Sequence, residues 1–239
     1  MSFEAVERGP EVERGPETGQ VGSGSGQRAS LILVRHGVTD WNRARRFQGH
    51  IDIPLNDEGR RQAELTARCL AGSAECDRIA AVHVSDLSRA VQTAEPIARA
   101  LGLPLRHDPS LRERHYGSFE GRTHEEIDRD EPEAWRRWRA REPDFVLPGG
   151  GESLRAFHAR VEAALRLLVG KYPSRIVVAV AHGGVLDCAY RIASGLPLDA
   201  PRGHALLNAS LNRIEFDGTR FALGAWAEVS HLDEALDDA

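Results

Sequence analysis

Three short apolar runs in this chain each end in a cluster of reactive side chains. Leu31-Ile-Leu-Val34 runs into Arg35-His36-Gly37, Ile79 to Val84 into Ser85-Asp-Leu-Ser-Arg89, and Ile176 to Ala181 into His182-Gly-Gly184. Two imidazoles and two guanidiniums in such places suit a phosphate dianion, because the planar guanidinium fork matches phosphate oxygens two at a time. Imidazole also offers a nitrogen lone pair near neutral pH. Any one of these clusters alone reads as a solvated loop or a turn. Their repetition at three run ends is what points to an anion site.

The elements that must position these groups are legible from periodicity. The three runs are nearly continuous in Val, Ile and Ala, the pattern of strands buried on both faces of a parallel sheet. Between them the sequence predicts helices over Asp57 to Leu70, with Asn56 as N-cap, and Ser88 to Leu101, ended by Gly102. Ser153 to Val169 puts Leu154, Phe157, Val161, Leu165 and Leu168 on one helical face. Thr123-His-Glu-Glu126 has the form of a capping box, Pro132 suits the first turn of the next helix, and Gly184 to Ser194 forms a last one. A hairpin of Ser210 to Phe216 and Arg220 to Ala225 around Asp217-Gly218 follows. Strands alternating with helices of crossover length predict an α/β fold, a three-layer αβα sandwich around a mostly parallel central sheet. In such sheets ligands bind at the carboxyl ends of the strands, where the three clusters would converge.

Composition bounds the rest. With 239 residues, 41% hydrophobic and 28% charged, one compact domain is expected. A net charge of −5 gives no global pull toward nucleic acid or anionic membrane, and the apolar runs are too short to span a bilayer, so neither partner is expected. Cys69, Cys76 and Cys188 form neither an even disulfide set nor a CxxC pair, and no stretch resembles a signal peptide, which predicts a reducing, cytoplasmic setting. Residues 1 to 29 read as a disordered tail, since Val6 to Glu11 is repeated as Val12 to Glu17 and a Gly/Ser stretch follows. The domain is expected over residues 30 to 239. No HExxH or carboxylate-rich cluster suggests a metal site. Asp86 reads as a helix cap, Cys188 as packing, and the eight histidines other than His36 and His182 as structural or surface groups.

Leu31-Ile-Leu-Val-Arg-His-Gly-Val-Thr-Asp-Trp-Asn42 resembles the opening signature of the histidine phosphatase superfamily, the phosphoglycerate mutase-like family. The resemblance continues through Phe47-Gln-Gly49, Pro54-Leu55 with Gly59, Ser85 to Ala94, Leu111-Arg-Glu113, Phe119-Glu-Gly121, Pro148 to Ser153 and Ala181 to Gly184, and so covers about residues 30 to 232. It implies a metal-independent, phosphoglycerate mutase-like domain acting on a small phosphorylated substrate. His36 would be the nucleophile that becomes phosphohistidine, Arg35, Arg89 and His182 would hold the phosphoryl oxygens, and Glu113 would be the proton donor and then the base. Asn42, Gln48, Gly49, Arg114, Tyr116 and Gly183 would contact substrate, under a cap formed by residues 114 to 150. Relatives occur as monomers, dimers and tetramers, so a homodimer is among the assemblies the resemblance allows.

Two outcomes share this pocket. Glu113-Arg-His-Tyr-Gly117 resembles cofactor-dependent phosphoglycerate mutases, which need a 2,3-bisphosphoglycerate primer, and Trp135-Arg-Arg137 is similar to their substrate-clamping arginines. Against a mutase, Glu113 and Glu152 lie only 39 positions apart, Val38-Thr39 stands where mutases carry Glu-Ser, Gly183-Gly184 follows His182, and Ser230-His-Leu-Asp233 looks like the ending of bacterial phosphatases named as mutases. The expectation is a histidine acid phosphatase-type phosphoric monoester hydrolase that needs no cofactor, with the mutase as alternative and an inactive phospho-ligand binding module further behind. The segment Ala134 to Arg141 reads as a solvated helix face or as part of the cap.

Overall fold

The structure, a computed structural model, describes residues 28–235, so the reading of residues 1 to 27 as a disordered tail lies outside it. Ala29, assigned to that tail by composition, is instead buried as the first residue of a strand and pairs with Phe216. The sheet has six strands, β1 (Ala29–Arg35), β2 (Ile79–Val84), β3 (Leu105–His107), β4 (Ile176–Ala181), β5 (Leu211–Phe216) and β6 (Phe221–Leu223), in the order β3-β2-β4-β1-β5-β6. The first four are mutually parallel and β5 and β6 run antiparallel, as the predicted hairpin requires. The helices are α1 (Asp40–Arg43), α2 (Asp57–Ala71), α3 (Ser88–Leu101), α4 (His124–Asp130), α5 (Pro132–Arg139), α6 (Leu154–Lys171) and α7 (Gly183–Ser194).

Side chains on the central strands alternate between the two faces, as the pleat dictates. Leu31 and Leu33 of β1 with Val177, Ala179 and Ala181 of β4 pack into one core with α6 and α7. Val34 of β1 with Ile176, Val178 and Val180 of β4 pack into the other with α2 and α3. Every residue of β4 is buried, which is why its sequence is apolar without interruption. A third, smaller cluster of Phe47, Phe119, Ile127, Trp135 and Leu147 stands apart from both. It is the core of the segment containing α4 and α5.

The predicted helix ends are built from the predicted residues. Asn56 accepts a hydrogen bond from the Gly59 N–H, the Thr123 and Glu126 side chains complete a capping box, and Gly102 closes α3 in the left-handed conformation at φ 64°. Asp86 is a correction: the N-cap of α3 is Leu87 with no side-chain cap, and Asp86 instead makes a two-pronged pair with Arg112 at 2.6 Å on both sides. The short α1 and β3 carry too few residues to show a periodicity in sequence.

The loop after β1 is pressed against the start of α2. The Asn56 N–H donates to the Val38 carbonyl at 3.1 Å, and a Cβ built on Gly59 would collide with the Val38 backbone just as one on Gly37 would collide with Gly59. Gly59→Ala is therefore expected to lower the unfolding free energy by about 1–3 kcal/mol through overpacking, whereas Gly170→Ala, inside α6 with open space at the Cβ position, should raise it by about 0.5–1 kcal/mol. Urea denaturation of the two variants checks both signs.

Candidate active site

Strand register brings the three clusters together. Arg35 of β1 is level with Ala181 of β4, and Val84 of β2 is level with Val180 of β4, so His36, His182 and Ser85 all begin one step beyond the sheet. The His36 N–H still donates to the Ala181 carbonyl and the Ser85 N–H to that of Val180, which extends the ladder into the site. The two imidazole rings consequently lie 5.3 Å apart between centroids, both buried.

A backbone carbonyl defines the His36 tautomer. His36 Nδ1 lies 2.7 Å from the Gly37 carbonyl, which can only accept, so Nδ1 carries the proton and Nε2 keeps its lone pair. His182 Nε2 lies 2.8 Å from Ser85 Oγ, and that oxygen already accepts from the Leu87 N–H. With the Ser85 hydroxyl as the donor to Nε2, the ring proton sits on Nδ1. Burial, reinforced by the nearby Arg89 and Arg35 charges, holds both histidines well below the ordinary pKa of 6.5. They are neutral at pH 7.

The guanidiniums are held by backbone rather than by carboxylates. Arg89, fully buried in the first turn of α3, donates to the Gly49 carbonyl at 2.7 Å and the Ile51 carbonyl at 3.0 Å. Burial pulls it down to about 10, against opposing attraction from Glu113, Asp52 and Glu120, so it remains a cation at neutral pH. Arg35 donates to the Leu206 carbonyl. Arg35 Nε, Arg89 Nε and His182 Nδ1 are buried without a hydrogen-bond partner among the described residues. Buried donors left in this way are rare and costly unless an acceptor comes with a ligand.

Glu113 sits between the β3 end and the α7 N-terminus. One carboxyl oxygen accepts from the Arg114 N–H at 2.8 Å and the other from the Gly184 N–H at 3.0 Å, in the first turn of α7. A Cβ at position 184 would overlap that carboxylate, so a larger residue there requires Glu113 to move. Glu113, Arg114, Tyr116, Arg35 and Gly183 line a cavity of about 610 Å³. Burial, with the Glu113 charge beside it, pushes the Tyr116 phenol up, so it stays a neutral donor.

Of the residues expected at the site, Asn42, Gln48 and Gly49 are not among those lining this cavity, nor are His36, Arg89 and His182, which are buried. Gly49 acts through its carbonyl on Arg89, and Asn42 Oδ1 completes the Thr39 capping box of α1. Asn208 joins them, donating to the His36 carbonyl at 2.8 Å and facing Asn42 Oδ1 at 3.4 Å. Nothing in the periodicity of its loop singles Asn208 out. The cavity is also walled by Phe47, Trp138, His124, Arg202 and His204, so two histidines read as structural or surface groups lie on it. Arg136 and Arg137, likened to clamping arginines, pair with Glu133 and Glu142 and do not line it. Cys188 is buried in the core with its thiol pushed up by burial, as packing requires.

The fold and this strand-end site define an α/β domain built to receive an oxyanion beside a neutral histidine. The family model of the histidine phosphatase superfamily (branch 1) matches residues 31–229, and the chain belongs to that family. It is 39% identical to phosphoglycerate mutase-like protein 4 of Arabidopsis thaliana over 86% of this chain and 88% of that one. It is also 39% identical to a metal-independent phosphoserine phosphatase of the same plant, over 84% and 82%. A mycobacterial glucosyl-3-phosphoglycerate phosphatase solved with VO3 superposes with a TM-score of 0.72 at 34% identity, over 84% of this chain and 100% of that one.

The neutral pair has a thermodynamic signature. In the unfolded chain both histidines take up protons near pH 6.5, whereas the folded state refuses them, so stability is fully present above that pH and falls as pH drops below it. The expected loss is at most about 1.4 kcal/mol per pH unit for each histidine. Ring nitrogen NMR should show both neutral down to pH 5.5, and a titration at about 6.5 in either ring would contradict the assignment.

Proposed function

We propose that the protein is a phosphomonoester phosphatase that works through a phosphohistidine at His36. The observation that carries this reading is the Nε2 lone pair of His36 together with three buried nitrogens that have no partner among the described residues, Arg35 Nε, Arg89 Nε and His182 Nδ1. In the first step Nε2 attacks phosphorus, the P–O ester bond breaks, and the leaving oxygen takes the proton of the Glu113 carboxylic acid. The donors stabilise the charge on the equatorial oxygens. In the second step water attacks phosphorus while the Glu113 carboxylate takes its proton, the N–P bond breaks, and phosphate leaves with His36 neutral again. No step calls for a metal or an added cofactor. Residues 114 to 150 act as a substrate cap, and three cysteines that form neither an even set nor a CxxC pair suit a reducing cytoplasm.

The phosphatase names of two relatives support hydrolysis. The mutase reading draws on Glu113-Arg-His-Tyr116 and on the mutase-like relative, but Arg136 and Arg137 are engaged elsewhere.

Turnover of an aryl phosphate in excess chelator is expected to disappear in His36→Ala, and acid-labile label from a phosphorus-32 substrate should be trapped on wild type only. Undiminished turnover in His36→Ala would sink the mechanism. With 3-phosphoglycerate and its bisphosphate primer, phosphate release should outrun formation of 2-phosphoglycerate, and the reverse order would favour the mutase.

A further inference from the structure

The loop that carries Glu113 belongs to no strand or helix beyond a single tight turn at Pro109–Leu111, so its carbonyls have no ladder to satisfy them. One side chain does this for three of them. Arg160, on the face of α6 turned toward the loop, donates from Nη1 to the Ser110 carbonyl at 2.8 Å and the Arg112 carbonyl at 3.0 Å, and from Nη2 to the Glu113 carbonyl at 3.2 Å. Its remaining two N–H groups go to the Glu152 carboxylate, Nε to Oε1 at 3.0 Å and Nη2 to Oε2 at 2.8 Å. All five guanidinium donors are thereby used in one plane.

Glu152 in turn grips the loop on the far side of Glu113. Its carboxylate accepts from the His115 N–H at 2.9 Å and its carbonyl from Arg114 Nε and Nη2 at 3.1 and 2.9 Å. Burial opposes its charge, but Arg160 and the His115 N–H outweigh it and hold the carboxyl below its ordinary range. His50 Nε2 adds a bond to the Glu113 carbonyl at 2.8 Å, and the Phe157 ring, which lines the cavity, lies 5.0 Å from the Arg160 guanidinium carbon.

We propose that Arg160 is a positioning residue for proton transfer: with Glu152 it fixes the backbone from Ser110 to His115, so that the Glu113 carboxyl meets the leaving oxygen without being touched by Arg160 itself. The inference rests on the reading of Glu113 as general acid. A lysine at this place has three donors on one nitrogen and reaches at most part of the set.

The test is leaving-group dependence. With 2,4-dinitrophenyl phosphate the leaving group departs without a proton, whereas with phenyl phosphate it needs one. For Arg160→Met, kcat/KM for phenyl phosphate should fall about 100-fold, the scale of a misplaced catalytic group, while that for 2,4-dinitrophenyl phosphate changes by less than about threefold. Arg160→Lys and Glu152→Gln should show the same selectivity more weakly, and they carry the test if Arg160→Met does not fold. Equal loss on both substrates, or none on either, in the folded variants overturns the inference. Glu113→Gln sets the reference pattern. If it shows no selectivity, the general-acid reading falls and takes the inference with it; if it does and the Arg160 variants do not, the inference alone is wrong.

Discussion

Two guanidiniums buried beside two imidazoles, with one carboxyl group acting on both cations, are the constraint from which the rest of this structure follows. A cation taken out of water needs compensation, and here Arg89 is hydrogen-bonded to the Gly49 and Ile51 carbonyls and Arg35 to that of Leu206, with Glu113 the leading attracting charge on both. The remaining positive field does two things at once. It adds to burial in keeping His36 and His182 from taking up protons, and it makes the floor of the site attractive to an oxyanion. The packed parallel sheet is what holds such an unfavourable arrangement in place, because β4 has no polar side chain to loosen it.

Glu113 reaches the site from a different kind of element. It hangs from a loop anchored by α6 and by the first turn of α7, while the histidines stand at the ends of β1 and β4. The loop is irregular, so its geometry depends on side chains that supply donors to bare carbonyls. Loops of this kind are where reactive groups are commonly placed on a rigid scaffold.

Much of this was legible in the sequence. Continuous apolar runs revealed β2 and β4 to the residue, and Asn56, Gly102, Ser153 and the Thr123-to-Glu126 box marked helix ends, because strand burial and capping are local effects. The convergence of Arg35, His36, Arg89 and His182 followed from topology. What escaped was long-range and carried by ordinary residues. Asp86 pairs with Arg112, Asn208 reaches the His36 carbonyl, His124 and His204 turn into the cavity, and Arg160 meets Glu113 from 47 positions away. No spacing rule along the chain encodes such meetings, since each depends on how two separate elements pack.

The cluster of Phe47, Phe119, Ile127, Trp135 and Leu147 shares no member with the two sheet cores. Substitutions within it can therefore reshape the cavity wall formed by Phe47, Trp138 and Phe145 while the strand ends keep their register. Such an arrangement separates the part of the molecule that selection can alter cheaply from the part it must leave alone. A substitution in this aromatic wall changes what the cavity can hold without touching the strand ends that carry His36 and His182.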